Sequence, residues 1–148
     1  PTFLKRSEQE AMALARRVIK PETSDKMRYL MRLNAEIGTA KKADVKGYYI
    51  GGKTGTAEKV INGRYAKKRV LNAFTAILPA DNPKYQLLIM LDEPQPLKET
   101  YGFITSGWNA VPTGGNVIAR IAPLLGVEPR FDLPPSDRLI LAASRATQ

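Results

Sequence analysis

The sequence predicts an α+β domain in which an antiparallel three-stranded meander is flanked by helices. Strand-like runs joined by short turns fill the middle of the chain, helical runs stand on both sides of them, and 148 residues suit one domain. No run of eighteen apolar residues is present, so we expect no membrane span in this sequence. The chain starts at Pro1 rather than Met, which indicates a piece of a longer protein.

The N-terminal part predicts one main helix. Residues 1–20 look irregular, with at most one short strand over residues 14–19. Thr23 or Ser24 is suited to cap a helix that runs to about Glu36 and ends at the glycine that follows. Its methionines share an apolar face at helical spacing, so we expect them to pack in the core.

Three strands form the predicted meander. The first covers residues 47–61 and leads into Asn62-Gly63, because Asn-Gly between strand-like runs favours a tight hairpin. The second covers residues 70–78. The third, residues 85–91, is nearly all apolar, and we therefore expect it to be buried on both faces.

The C-terminal part predicts a loop followed by helices. Residues 97–112 are rich in glycine and aromatic residues, and two roles remain open for Phe103 and Trp108: covering the sheet edge or binding a ligand. Residues 115–125 carry an apolar stripe at helical spacing. Residues 136–141 predict a short final helix.

Composition limits the chemistry. The chain has no Cys and no His, which excludes Cys/His metal sites, thiol nucleophiles and a histidine base. If the site carries out acyl transfer, its base must be Lys or a carboxylate. We expect neither a metal nor another cofactor.

Positive charge is concentrated in residues 41–69, which hold +7 of the net charge of +9. A solvated hairpin rim explains this better than a nucleic-acid surface, because no recognition-helix or RNA-binding signature accompanies it. The field can also attract an anionic substrate such as a peptide carboxylate.

The most informative motif is Lys53-Thr54-Gly55-Thr56 on the first predicted strand. Strand alternation places the two threonine hydroxyls on one face, where together they can hold a carboxylate. The same residues fit a phosphate-binding loop from Gly47 to Thr54, which would make the chain a nucleotide-binding module. That alternative needs a buried strand before the loop and a helix after it, whereas the flanking sequence is charged on one side and hairpin-like on the other.

The motif belongs to a longer collinear pattern over about residues 20–130, with 131–148 as a C-terminal extension. The matching runs are Ser24-Asp25-Lys26-Met27-Arg28, Gly38-Thr39-Ala40, Lys46-Gly47-Tyr48, Gly52 to Ala57, Gly63-Arg64-Tyr65, Ala73-Phe74, Pro79 to Pro83 and Leu91-Asp92-Glu93-Pro94. This pattern resembles the C-terminal part of the transpeptidase domain of class B penicillin-binding proteins, and its Asp-x-Pro end of the third strand favours the cell-division type, the FtsI or penicillin-binding protein 3 group.

The resemblance implies a partial serine β-lactamase/transpeptidase-like fold and a role for each motif residue. Lys53 would bond the serine of the family's Ser-x-Asn motif and help to move protons. Thr54 and Thr56 would hold the carboxylate of a stem peptide or β-lactam, Gly55 would let substrate lie against the strand, and the Thr56 N–H would be an oxyanion-hole donor.

The chain also departs from the family. No serine has Lys three residues later, and Ser-x-Asn is absent, so we expect a fragment that is inactive alone. Gly114-Gly115-Asn116 differs from the small-residue and proline pattern expected before the last helix. Strands missing from the sheet would expose an apolar edge and face, which predicts self-association.

For the parent protein the resemblance implies a periplasmic domain anchored in the inner membrane of a bacterium. Its expected partners are peptidoglycan stem peptides, β-lactams and the membrane proteins of the division complex, without nucleic acid. Within the family, a carboxypeptidase or a β-lactam sensor remains open, and a non-catalytic basic domain that binds nucleic acid remains the alternative outside it.

Overall fold

A three-stranded antiparallel sheet with the order β1-β2-β3 organises the chain, as the sequence predicts. The computed structural model describes residues 4–133. Its elements are α1 (Glu8–Leu14), α2 (Pro21–Ile37), β1 (Gly51–Ile61), β2 (Arg64–Leu78), β3 (Tyr85–Asp92) and α3 (Ala110–Ile121), with 3-10 turns at Lys41–Ala43 and Ser106–Trp108. Within residues 4–133, no helix is both long and apolar enough to cross a membrane.

The hairpin between β1 and β2 turns at the predicted Asn-Gly pair. Asn62 and Gly63 both have positive φ, as the tight turn requires. β1 begins at Gly51, four residues later than predicted, and β2 already begins at Arg64. Because β3 ends opposite Leu71, the hairpin tip extends beyond the sheet as a two-stranded ribbon, and a register shift after Glu58 separates ribbon from sheet.

The prediction that β3 is buried on both faces is wrong. Its burial alternates, with Leu88 and Met90 more than half exposed, while Leu87, Ile89 and Leu91 pack towards the core. β3 is an edge strand in this sheet, and the described residues cover only one of its faces.

Helix α2 begins at Pro21, whereas the sequence predicted a start after a cap at Thr23 or Ser24. Lys20 is the N-cap residue and makes no side-chain cap, while proline fits the first helical turn. Gly38 ends the helix as predicted. The expectation of buried methionines holds only in part, because the Met31 Cβ lies close to Gly51 whereas Met27 is about half exposed.

The N-terminal region contains a helix instead of the short strand considered over residues 14–19. Ser7 and Glu10 form a reciprocal capping box, in which each side chain bonds the other residue's backbone N–H. This local pairing starts α1, which ends at Leu14. The predicted final helix over residues 136–141 lies outside the described residues.

Helix α3 starts at Ala110, inside the region predicted as a loop, and ends at Ile121 rather than at 125. Asn109 caps it by accepting the Ala110 N–H. The Gly114-Gly115 pair that departs from the family pattern lets the helix approach its neighbours closely. A Cβ at Gly114 would stand 2.5 Å from the Phe74 ring, and one at Gly115 would stand 2.9 Å from the Ala43 backbone.

The core lies between α3 and the sheet. Its centre is Phe74 on β2, fully buried, whose ring lies between two glycines: an added Cβ at Gly52 of β1 or at Gly114 of α3 would come within 2.5 Å of it. The other large, fully buried apolar side chains are Ile50, Leu78, Val111 and Ile118. The ring therefore sets the distance between α3 and the part of β1 that carries the motif.

Candidate active site

The motif residues lie on edge strand β1 and point to two faces of the sheet. Thr54 and Thr56 share a face with Phe74, which we call the α3 face after the helix that covers it. Lys53 and Gly55 share the other face, which we call the Lys53 face and which also carries Leu88 and Met90 of β3. The sequence prediction that the two threonines lie side by side is thus met by the strand geometry.

The backbone of the motif presents donors and acceptors at the free edge of β1. Gly52 O accepts the Asn34 amide at 2.9 Å, and Thr54 O accepts the Lys53 ammonium at 2.6 Å, so both carbonyls point away from β2. N–H and C=O groups of an antiparallel strand change sides at every residue. The Thr56 N–H consequently points to the same free edge.

A chain of hydrogen bonds from α2 reaches the Thr54 hydroxyl. Asn34 donates its amide to Gly52 O, which directs its Oδ1 towards the N–H and hydroxyl of Thr39, at 3.0 and 3.2 Å. The Thr39 and Thr54 hydroxyl oxygens are 3.0 Å apart. Because the Thr39 proton goes to Asn34, Thr39 is the acceptor for Thr54.

Thr56 is oriented by the segment before α3 and not by the hydrogen bonds from α2. Its hydroxyl accepts the Ser106 N–H at 3.1 Å, which leaves its own proton free to donate to a ligand. The Ser106 hydroxyl is buried and donates to Ala73 O at 2.7 Å. Buried Asn72 fixes the same segment from beneath by donating to Ile104 O and to Asn109.

A cavity of about 350 Å³ opens between these two threonines and the neighbouring segments. It is lined by hydroxyl groups, lysines and an aromatic ring, with no acidic residue: Gly38, Thr39, Lys41, Lys42, Thr54, Thr56, Thr105, Ser106, Gly107 and Trp108. An opening with this lining suits an anion. Trp108, one of two aromatic residues whose role the sequence left open, forms a wall of this cavity.

The sequence reasoning did not identify several of these neighbours. Thr39 belongs to a run quoted for the family resemblance, but nothing in its spacing reveals the contact with Thr54. Asn34 lies on the helix face predicted to be apolar, and a polar residue on that face is the one signal that could have singled it out.

Lys53 itself is exposed, and the bond to Thr54 O is its hydrogen bond in the structure. Of the serines in residues 4–133, Ser106 is the one near the motif, and its buried hydroxyl is committed to Ala73 O. Part of the predicted site is therefore assembled in the described chain, namely the two threonines and their cavity, while a nucleophile next to Lys53 is not.

The phosphate-loop alternative is inconsistent with the structure. A phosphate loop requires a helix directly after the lysine and threonine. Here Lys53 and Thr54 lie inside strand β1, which continues to Ile61 and pairs with β2 along its length.

A larger cavity of about 580 Å³ lies beside the C-terminal half of α2, away from the motif. At its wall, Arg32 pairs with Glu36 and Asp44 at 2.8 and 2.6 Å and lies 4.6 Å from the Tyr49 ring centroid. Burial opposes the charge, but the bonds to Asp44 and Glu36 outweigh it and raise the pKa of Arg32. These satisfied pairs hold α2 to the loop before β1, so we interpret the cluster as structural.

The basic hairpin is clamped at its base by two adjacent carboxylates, Asp92, which pairs with Lys59 at 2.5 Å, and Glu93. Arg69 and Lys59 both bond Glu93 at 2.9 Å, and these bonds lower the pKa of Glu93 to about 2 from its ordinary 4.5. The hairpin's other cations, Arg64, Lys67 and Lys68, are exposed. As predicted for a solvated rim, much of the local positive charge faces water.

Sequence and structure comparisons identify relatives. The family described as penicillin binding protein transpeptidase domain matches residues 1–107. The chain is 45% identical over 127 residues to a probable peptidoglycan D,D-transpeptidase FtsI of Caulobacter vibrioides, covering 80% of the chain and 22% of the relative. It is 36% identical over 130 residues to the stage V sporulation protein D of Bacillus subtilis, covering 88% of the chain and 19% of the relative. The chain thus spans about a fifth of the length of these curated relatives.

Solved structures give the same result. Penicillin-binding protein 3 of Mycobacterium tuberculosis, complexed with ampicillin, superposes with a TM-score of 0.66 at 29% identity, covering 80% of the chain and 28% of that protein. The transpeptidase domain of penicillin-binding protein 3 from Burkholderia pseudomallei superposes with a TM-score of 0.66 at 29% identity, covering 80% of the chain and 34% of that domain. The resemblance carried by the Lys53-Thr54-Gly55 strand is confirmed: the chain belongs to the penicillin-binding protein transpeptidase domain family.

Proposed function

We propose that this chain supplies the substrate-binding wall of a peptidoglycan D,D-transpeptidase that is inhibited by β-lactams. The observation that carries the proposal is the geometry of β1: two threonine hydroxyls on one cavity wall, with Lys53 and the Thr56 N–H placed by the same strand. Family membership and the names of the relatives support it.

In this proposal, a serine of the parent protein, from sequence outside these residues, attacks the carbonyl that joins the last two D-alanines of a stem peptide. The serine loses its proton, the terminal D-alanine leaves with a proton on its nitrogen, and an acyl-enzyme remains. The amine of a neighbouring stem peptide then displaces the serine and forms the cross-link. A carboxypeptidase would differ in that water takes the place of the amine.

Lys53, Thr54 and Thr56 each have a distinct role in these reaction steps. Thr56 donates its free hydroxyl proton to the donor's carboxylate, and Thr54 joins it once its proton turns away from Thr39. The Thr56 N–H at the free edge stabilises the oxyanion, an interaction whose loss typically raises the barrier by about 2.7–4 kcal/mol. Lys53, as a cation with no acidic partner in residues 4–133, moves protons to and from the serine site.

We further propose that the parent protein acts in septal cross-linking, anchored in the inner membrane with this domain in the periplasm. Its protein partners would be membrane components of the division complex. The FtsI and penicillin-binding protein 3 relatives support this placement, while the match to a sporulation protein makes spore-wall synthesis the second candidate.

The 148-residue chain alone should be catalytically inactive and should self-associate. Leu88 and Met90 leave an apolar area on the Lys53 face that the described residues do not cover. Static light scattering tests this directly: we expect oligomers that Leu88→Asn/Met90→Asn dissociates, and a monomeric wild-type chain at micromolar concentration would contradict the proposal.

Fluorescent-penicillin labelling of the full-length parent tests the enzymatic proposal. We expect covalent labelling of the wild type and a loss of about a hundredfold in acylation rate for Lys53→Ala. The control is Lys84→Ala, an exposed lysine in the turn before β3, which should label at the wild-type rate. An unlabelled wild-type parent, or equal rates in the two variants, would refute the role assigned to this strand.

A further inference from the structure

The larger cavity, of about 580 Å³ beside α2, has an apolar wall that is open to solvent. Its apolar lining includes Leu33, Ile37, Val45, Phe131 and Leu133. Within residues 4–133, Ile37 is 75% exposed and Phe131 is 70% exposed. Large apolar side chains that share one concavity and stay exposed are typical of a surface that another segment covers.

The charged part of the same wall is already paired. Arg32 bonds both Glu36 and Asp44, and Arg130 bonds Asp81 at 2.7 Å. Because these groups bond one another, they do not require a polar ligand. What the cavity leaves uncovered is its apolar lining.

The last described stretch of the chain leads directly into this cavity. After α3, the Arg130 N–H donates to Gly47 O at 2.7 Å. Gly47 has a φ of 88°, and an added Cβ there would stand 3.0 Å from the Phe131 ring. The chain therefore crosses closely over the loop before β1, and Leu133, the last described residue, lies in the cavity wall.

The sequence that follows Leu133 contains an apolar segment within reach of the cavity. Residues 139–143 read Leu-Ile-Leu-Ala-Ala. Ile140 is seven residues beyond Leu133, and seven extended residues span up to roughly 25 Å. The cavity volume also lies in the range of about 300–1,000 Å³ that is typical of pockets with apolar occupants.

From this arrangement we propose that the chain's own C-terminal segment, residues 139–143, docks in the cavity beside α2 and packs its large aliphatic side chains against Ile37 and Phe131. The segment is then an intramolecular latch that ties the end of the chain to α2 and to the loop before β1. Arg32 in the same wall donates to Ile50 O at 2.9 Å, next to the start of β1. The latch thus braces the entry to the motif strand, and it does not depend on the transpeptidase function.

Photo-cross-linking in the full-length parent tests the latch from both sides. The photoreactive residue p-benzoylphenylalanine replaces Ile140 in one variant and Ile37 in the other, and mass spectrometry maps the cross-linked peptides after irradiation. We expect the Ile140 variant to cross-link to residues 33–49 or 130–133. The Ile37 variant should cross-link to residues 139–143.

A matched pair of second substitutions in the Ile140 variant tests the apolar contact. Ile37→Asp should lower the cross-linking yield by about tenfold, because docking would bury a carboxylate without a partner. Val60→Asp makes the same change at an exposed position of the hairpin and should keep the yield. Ile37 is exposed in the described residues, so the aspartate should not unfold the domain, and far-UV circular dichroism checks this.

A mixture of isotopically light and heavy protein identifies the occupant of the cavity. Cross-links within one molecule support the latch, whereas cross-links between light and heavy molecules would overturn it in favour of a second copy. The latch is also refuted if the Ile37 variant cross-links only to the parent outside this chain, if neither variant joins the two segments, or if Ile37→Asp leaves the yield unchanged. Since no outcome depends on penicillin labelling, the latch and the proposed function can fail separately.

Discussion

The two faces of the sheet differ in how completely the chain builds them. On the α3 face, Thr54 and Thr56 stand over a layer in which Phe74, Asn72 and Ser106 are buried. Ser106 fixes this layer by donating its N–H to the Thr56 hydroxyl and its own hydroxyl to Ala73 O. On the Lys53 face, the ammonium reaches only the next residue's carbonyl, and nearby apolar side chains of β3 are exposed. The chain therefore packs the threonine-bearing face closely and leaves the Lys53 face open.

This difference shows which parts of the site are separable. In the proposed function, an anion is bound by the two threonines, and the residues that orient their hydroxyls lie within residues 4–133. Acyl transfer needs a nucleophile opposite Lys53, which the described residues do not provide. Substitutions on the α3 face should thus change both stability and binding, whereas substitutions on the Lys53 face should change reactivity and association.

Two glycines of β1 offer the sharpest contrast between the faces. Gly52→Ala places a methyl group within 2.5 Å of the Phe74 ring, which Gly114 confines from the other side. We expect a loss of about 3 kcal/mol in unfolding free energy, measured by urea denaturation.

The matched change on the Lys53 face is Gly55→Ala, whose methyl group would meet nothing nearer than 3.8 Å. Its unfolding free energy should stay within about 0.5 kcal/mol of the wild type. Penicillin acylation of the parent should still slow by about tenfold, because the methyl group occupies the surface where substrate would lie. Equal destabilisation by the two alanines would remove the distinction between the faces.

Asn72 supports the α3 face from within. Asn72→Ala removes the donor to Ile104 O and Asn109 and leaves a small cavity, so we expect about 2 kcal/mol of destabilisation in the same denaturation experiment. Asn116→Ala, an exposed position on α3, is the matched control and should change stability by less than about 0.5 kcal/mol. If Asn72→Ala leaves the unfolding free energy unchanged, the 104–109 segment is held by other contacts.

Thr39 is expected to tune Thr54 without acting on the ligand itself. Thr39→Val removes the acceptor that orients the Thr54 hydroxyl, while Thr39→Ser keeps it. We expect KM for a carboxylate-bearing thioester to rise by about threefold in the valine variant, while kcat is preserved. The serine variant should keep the wild-type values of both constants. An unchanged KM in Thr39→Val would show that the hydroxyl pair does not influence binding.

The smallest effect concerns the hairpin clamp, outside both faces. Since bonding to Arg69 and Lys59 lowers the pKa of Glu93 to about 2, its contribution to stability is present above about pH 4.5 and is lost as the pH falls towards 2. Glu93→Gln should therefore lower Tm at pH 7 by a small amount, and the difference from wild type should vanish near pH 2. Glu58→Gln, on the same hairpin, is the control, and a difference that persists at pH 2 would exclude the ionic cause.

The sequence predicted those parts of the molecule that depend on short-range patterns. The Asn62-Gly63 turn needs positive φ at adjacent residues, and the two threonines share a face because strands alternate, so both followed from spacing alone. The capping box of α1 was also a local signal, Ser7 followed by Glu10, but it was not recognised.

The features that sequence reasoning missed depend on contacts between distant segments. The exposed face of β3 was misjudged because an apolar run does not show which neighbours are present. The bond of Thr39 to Thr54 and the seat of Lys42 on Trp108 join segments that only the fold brings together. No periodicity in the sequence encodes either contact.

The position of Phe74 between Gly52 and Gly114 has an evolutionary consequence. Because the Phe74 ring separates β1 from α3, we expect positions 52, 74 and 114 to change together in evolution. A methyl group gained at position 52 or 114 is tolerated only if the residue at position 74 becomes smaller. Lineages in which position 52 or 114 has grown should therefore carry a smaller residue at position 74. Because the same strand bears Lys53 and both threonines, substitutions in this trio would displace the proposed site as well as weaken folding.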